Sequence, residues 1–138
     1  TNHDPRYKPS PIQKKLMDEG LLGRKSGRGY FDYSESAVNP EPNKDKKLGK
    51  KIFNRILTML INAAVDALNG AIATRDDIDT AMTTGVNYPK GLLKWADDIG
   101  LNAPLSQLKD LHTQSGDDRY IASPLLEKMV EDNSTFYA

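Results

Sequence analysis

Apolar residues gather most densely in residues 48–73, LGKKIFNRILTMLINAAVDALNGAIA. Leu48, Ile52, Ile56, Leu60, Ala64 and Leu68 recur at helical spacing, and Phe53, Leu57, Ile61 and Val65 widen the stripe into a broad face. The spacing predicts one helix from about Lys46 to Asn69, roughly 36 Å long at about 1.5 Å per residue. A face that wide needs cover on several sides, because each large apolar group contributes about 1.5–3 kcal/mol when fully buried. Lys50, Lys51, Arg55 and Asp66 leave no uncharged run of about 18 residues, so this helix is not a membrane span.

Shorter amphipathic segments flank it. Ser10 is placed to cap a helix with Pro11 at its first position and Gln13 at the capping-box position, Leu16 on its apolar side and Gly20 at its end. Residues 34–47, SESAVNPEPNKDKK, are polar, carry two prolines and read as a linker. Beyond the central helix, Thr74 caps a segment with Ile78, Ala81 and Met82 on its buried side, and Gly85 stops it. Pro89 then opens a helix bearing Leu92, Leu93, Trp95, Ala96 and Ile99, ended by Gly100. Asn102 and Pro104 start the next, with Leu105, Leu108, Leu111 and His112 on one side up to Gly116; Ser123 and Pro124 start the last, with Leu125, Leu126, Met129 and Val130. The alternation of a half-buried strand is missing except for a short extended piece at residues 30–33. The fold class expected is all-α: a bundle of about five helices in residues 46–138 around one long central helix, with an N-terminal helix plus a glycine-rich arm in residues 1–33.

At 138 residues the chain has material for one good core. Lys plus Arg equals Asp plus Glu at 19 each, which argues against nucleic acid or an anionic membrane as partner. With no cysteine there is no disulfide framework, thiolate zinc site or cysteine nucleophile, and a cytoplasmic location fits. No signal peptide shows, and a start at Thr1 reads as a fragment of something longer. In GRKSGRGYFDY, Gly23, Gly27 and Gly29 alternate with Arg24, Lys25 and Arg28. Such a loop suits either an anion, through free amides and cations, or a glycine-shaped turn that returns Tyr30, Phe31 and Tyr33 to a core. No GKS or GKT ends it and no helix follows directly, so it is not a Walker loop.

An internal repeat ties the two ends together. Asp4-Pro-Arg-Tyr-Lys-Pro-Ser-Pro11 is answered by Asp117-Asp-Arg-Tyr-Ile-Ala-Ser-Pro124, and Ile12-Gln-Lys-Lys-Leu-Met17 by Leu125-Leu-Glu-Lys-Met-Val130, ungapped and at one offset. The Arg-Tyr pair is not demanded by helix capping, so duplication explains the match better than a common helix start used twice.

With these segments placed, their order resembles the C-terminal helical domain of the 3-hydroxyacyl-CoA dehydrogenases, in particular 3-hydroxybutyryl-CoA-type enzymes carrying that domain twice. The residues that carry the likeness are Ile52-Phe-Asn-Arg-Ile-Leu57, Ala73-Thr-Arg-Asp-Asp-Ile-Asp-Thr-Ala81 and Gly85-Val-Asn-Tyr-Pro-Lys-Gly91, with Gly23-Arg-Lys-Ser-Gly-Arg-Gly-Tyr-Phe-Asp-Tyr33 similar to the ending of a first copy. The resemblance implies that residues 1–33 are the tail of a first helical module, 34–45 a linker and 46–138 a second module. It implies an NAD-dependent oxidoreductase acting on an acyl-CoA substrate, with NAD held by a Rossmann domain not present here, so that this fragment binds no cofactor and is inactive alone. The same resemblance makes Asn54 the counterpart of a helical asparagine that orients the substrate carbonyl in the first copy, a task suited to a neutral amide donor. Arg55 becomes a candidate substrate contact through phosphate, or else the partner of a neighbouring acid. Neither His3 nor His112 inherits a role, and His112 reads as a packed core residue. Asn62-Ala-Ala64 departs from the family's N-E-A and removes an acid from this helix. The alternative to an acyl-CoA role is a non-catalytic helical module used for dimerisation, and in both readings a homodimer is expected.

Overall fold

The computed structural model describes residues 8–137, in two compact units that meet in sequence at Asp45 and Lys46. In the first unit the chain forms one helix, α1 (Pro11–Asp18), and a glycine-rich loop with a short turn at Arg24–Ser26. The second holds α2 (Lys46–Asn69), α3 (Arg75–Thr80), α4 (Leu92–Ile99), α5 (Asn102–Ser115) and α6 (Pro124–Glu131). The described residues contain no strand; two isolated bridges, Gly23 with Arg28 and Arg28 with Asp32, stand where an extended piece was expected.

The central helix has the bounds that its periodicity predicts. Its second half is the core: Ile61 and Val65 are fully buried against Leu93 and Ala96 of α4, Leu108 of α5 and Leu126 of α6 in one cluster. The first half is not covered as expected. Leu48, Ile52, Phe53 and Ile56 are 41–54% exposed, because the helices that pack on α2, α3 to α6, close on the seam from Leu57 to Val65.

Capping follows the sequence in part. Thr74 Oγ1 accepts from the Asp77 amide at 3.2 Å, opening α3. Beyond Thr80 that helix widens into a π-turn, Ala81–Gly85, and the hydroxyls of its Thr83 and Thr84 donate to the carbonyls of Asp79 and Thr80 at the end of α3. α4 starts at Leu92 rather than at Pro89, since its first amides are claimed by Asp79. Neither Ser10 nor Ser123 caps with its hydroxyl, although each opens a helix with proline first. Ser123 is used through its backbone instead: its amide donates to Asn62 Oδ1 at 2.8 Å, while Asn62 Nδ2 donates to the Ile121 carbonyl at 2.9 Å. Asn62 is 2% exposed, so one amide on the core helix pins the whole approach to α6.

The repeat seen in sequence recurs in the backbone. Ser10 lies at φ −58, ψ 135 and Ser123 at φ −60, ψ 133. The bonds Glu19 to Lys15 (3.0 Å), Gly20 to Met17 (3.0 Å) and Leu21 to Leu16 (2.8 Å) are matched by Asp132 to Lys128 (2.9 Å), Asn133 to Val130 (3.2 Å) and Ser134 to Met129 (2.9 Å). Both helices end through a left-handed residue, Gly20 at φ 72 and Asn133 at φ 49. Residues 4–7 of the sequence repeat lie outside the described residues.

Within the first unit the glycine-rich loop closes on itself. The amides of Gly23, Ser26, Gly27 and Gly29 donate to the carbonyls of Arg28, Gly23, Arg24 and Phe31, and Ser26 Oγ accepts from Leu22 and donates to Arg28. Gly29 is required: a Cβ there would lie 2.8 Å from the Gly23 backbone. The polar stretch that follows is not featureless, because Asn39 exchanges two hydrogen bonds with the Asp32 backbone, 3.0 and 2.8 Å long.

Replacing Asn62 with Ala strands the buried Ser123 amide, at a cost of about 1–3 kcal/mol, and removes the tie to the Ile121 carbonyl. Urea unfolding should show a midpoint well below that of the parent with an unchanged slope; a shift within error would remove Asn62 as the pin of α6.

Candidate functional site

The exposed first half of α2 borders two apolar hollows. Phe53 and Trp95 stand 5.9 Å apart between ring centres, tilted at 51°. On one side of this pair lies a hollow of about 240 Å³ lined by Ile56, Leu57, Leu60, Tyr88 and Pro89. On the other lies one of about 220 Å³, where Asn54, Thr58 and Gln107 add polar edges to Ile99, Ala103 and Pro104. Thr58 donates to Gln107 at 2.8 Å, leaving the amide of Asn54 as a polar group at the rim.

Asn54 and Arg55 are neighbours in sequence but do not work together. Asn54 lines the second hollow. Arg55 points to the short turn Asp118–Tyr120 between α5 and α6, its guanidinium 5.1 Å from the Tyr120 ring and hydrogen-bonded to the Tyr120 hydroxyl. It therefore meets an aromatic group where a neighbouring acid was expected. His112 is not a core residue either: its side chain is 44% exposed, with Nε2 3.9 Å from Asp118 in the turn that follows α5. His3 lies outside the described residues.

What holds the hollow's walls in place escaped sequence reasoning. Asp79 is 9% exposed and accepts from the amides of Leu93 (2.8 Å) and Lys94 (2.9 Å) and from the Tyr137 hydroxyl (3.0 Å). Gly91 makes this approach feasible, since a Cβ there would fall 2.0 Å from Asp79 Cγ. Asp97 takes the amides of Phe136 and Tyr137 at 3.0 and 2.8 Å, and Arg75 donates to the Phe136 carbonyl while its guanidinium lies 4.2 Å over the Tyr137 ring. The last described residues are thus strapped across α3 and α4. One signal was available: an acid in the last turn of α3 opposes that helix's own dipole, so Asp79 had to serve another element. Burial first, and then the hydrogen bond to Asp79, push the Tyr137 hydroxyl from its ordinary 10.0 up to about 12. At the outer edge of α4, the hydrogen bond from Lys90 holds the Asp98 carboxyl below its usual range.

Among the described residues no parallel strand leads into a glycine-rich helix start, and the amides of Gly23, Ser26, Gly27 and Gly29 in the glycine-rich loop are spent on the loop's own carbonyls. No group of acids and histidines among them could hold a metal ion, and no helix is long and apolar enough to cross a membrane.

A long helix wrapped by short ones, with loops tied by buried carboxylates and one buried amide, defines an all-helical auxiliary domain. The family of 3-hydroxyacyl-CoA dehydrogenase C-terminal domains matches residues 52–135, and the chain belongs to that family. It is 35% identical over 129 residues to 3-hydroxybutyryl-CoA dehydrogenase of Clostridioides difficile, covering 92% of this chain and 46% of the relative. Identity is 42% over 114 residues with a probable 3-hydroxybutyryl-CoA dehydrogenase of Deinococcus radiodurans, covering 75% and 41%. The solved structure of 3-hydroxybutyryl-CoA dehydrogenase from Escherichia coli K12 superimposes with a TM-score of 0.72 at 25% identity, over 93% of this chain and 46% of that one. The chain spans about half the length of these relatives, or less.

Two outcomes follow. Gly91→Ala should destabilise the domain by more than the roughly 1–3 kcal/mol of ordinary overpacking, because Asp79 must leave the start of α4; thermal unfolding near the parent's midpoint would contradict this. The raised Tyr137 value means that the folded hydroxyl keeps its proton to higher pH than the unfolded one. Its contribution to stability is complete below pH 10 and lost as pH rises through about 12. In Tyr137→Phe the alkaline loss of stability between those values should be shallower than in the parent, measured by urea unfolding across that range; parallel profiles would separate Tyr137 from the strap.

Proposed function

We propose that this chain is the helical C-terminal part of an NAD-dependent 3-hydroxyacyl-CoA dehydrogenase of fatty-acid metabolism, of the 3-hydroxybutyryl-CoA type, located in the cytoplasm. On this reading residues 1–33 end a first helical module, 34–45 link, and 46–138 form the second. NAD belongs to a Rossmann domain outside these residues, and the chain alone oxidises nothing. Its work is to shape the acyl-CoA cleft and supply association surface. The observation that carries the reading is the pair of apolar hollows around Phe53 and Trp95 with Asn54 at the rim, on the segment where the family match begins. An apolar wall beside a neutral amide suits an acyl thioester: the wall takes hydrocarbon, and the amide donates to a carbonyl oxygen without titrating. Arg55, held against Tyr120, contributes to substrate only if it leaves that ring.

A second reading, a helical module that serves only to form a homodimer, is favoured by the row Leu48, Ile52, Phe53 and Ile56, which together expose more apolar surface than scattered residues would. Calorimetric titration with acetoacetyl-CoA and sedimentation of the same samples separate the two. Saturable binding at micromolar ligand, lost in Phe53→Asp, and no NAD reduction with 3-hydroxybutyryl-CoA are the expected results. A stable dimer indifferent to the ligand would overturn the cleft and leave the dimerisation module.

A further inference from the structure

Between α3 and α4 the chain makes a loop with a closed neck. Its tip, Tyr88 and Pro89, is one wall of the larger hollow, and Trp95, just past the neck, lines both hollows. Asp79 closes the neck from inside, its Oδ1 accepting the Leu93 amide at 2.8 Å and its Oδ2 the Lys94 amide at 2.9 Å. From outside it is bridged by the pairs Lys90–Asp98 and Lys94–Asp98, whose side chains are a third or more exposed, so they hold it weakly. The same Oδ2 of Asp79 also accepts the Tyr137 hydroxyl, 3.0 Å away. We propose that Asp79 and Tyr137 are positioning residues for the Phe53–Trp95 hollow, and that the strap of residues 134–137 is a latch: while it is seated the neck stays shut and the wall stays in place, and when it lifts the wall is released. The coupling is a property of the fold and stands whatever fills the hollow.

The coupling follows from how a buried carboxylate is kept. Asp79 is 9% exposed, and burying its charge is tolerable only while donors replace the lost water. Tyr137 supplies one of the three donors seen. Without it Asp79 is drawn outward towards solvent, and the Leu93 and Lys94 amides lose their acceptor together. The strap itself is lightly held. Ser134 and Thr135 are exposed, Phe136 is its one buried ring, and its remaining ties are the Asp97 carboxylate on two amides and Arg75 on the Phe136 carbonyl and the Tyr137 ring. Lifting it therefore disturbs the neck before it disturbs the seam at Ile61 and Val65, which the strap's polar ties do not reach.

The test uses the full chain labelled with nitrogen-15, under conditions where it is folded. In Tyr137→Phe, which keeps the ring over Arg75, hydrogen exchange at the Leu93 and Lys94 amides should accelerate by about tenfold relative to Leu108 of α5, the factor that losing one hydrogen bond to a carboxylate implies. Arg75→Gln, which loosens the strap without touching Asp79, should move the same two amides in the same direction. Trp95 is the only tryptophan in the chain, and in both variants its quenching by acrylamide should rise about twofold or more as the wall loosens. Asn62→Ala, which weakens a different tie, should leave both the exchange ratio and the quenching as in the parent. Parent-like exchange or quenching in Tyr137→Phe overturns the latch. So does acceleration shared equally by Leu108, or the same pattern in Asn62→Ala, since either would mean general loosening in place of a path from strap to hollow.

Discussion

The burial of one half of one helix governs the rest. Helices of eight residues, such as α4 and α6, do not stand alone in water. They are stable here because Ile61 and Val65 offer a dry seam on which Leu93, Ala96, Leu108 and Leu126 close. Apolar packing does not by itself fix angle or register, and this domain leaves that to polar atoms at its loops. Asn62 sets where the chain enters α6, Asp79 sets where α4 begins, and Asp97 with Arg75 holds the last described residues across α3 and α4. Each is a side chain satisfying backbone groups of a remote segment, and Asp79 does so for the first amides of α4, which a helix start leaves without partners.

That division of labour explains what could be read in the sequence. Local signals carried well. The bounds of α2, the Thr74 cap and the stops at Gly100 and Gly116 depend on periodicity and on backbone conformations favoured in glycine, and all are visible within a few residues. The polar ties join residues between 14 and 61 positions apart, and nothing adjacent to them announces the partner. Ser123 misled in an informative way, because its type suggested a side-chain cap while its backbone was the group in use. Asn54 was legible as a position and is now seen at a rim; the surroundings of Arg55 and His112, a tyrosine ring and an aspartate in the turn after α5, are in no spacing rule.

Family membership and physical reading reinforce each other at one place. The N-R opening that carries the likeness falls where α2 loses its cover, so the least buried part of the helix is also the most recognisable. Stability alone would have placed polar residues at Ile52, Phe53 and Ile56. Their exposure sets this end of the domain apart from the far end, which is occupied with holding itself together.

The π-turn at Ala81–Gly85 has a further meaning for how such domains diverge. A π-turn is a helix accommodating one residue more than its ladder can index, the usual trace of a single-codon insertion. Here the extra residue is absorbed just before Tyr88 and Pro89, two of the groups that wall the larger hollow. Excising it would rewind the segment by about a hundred degrees, one helical step, and swing that wall aside without touching the core. A one-residue change of length here would thus reshape the hollow where a substitution in the core would not.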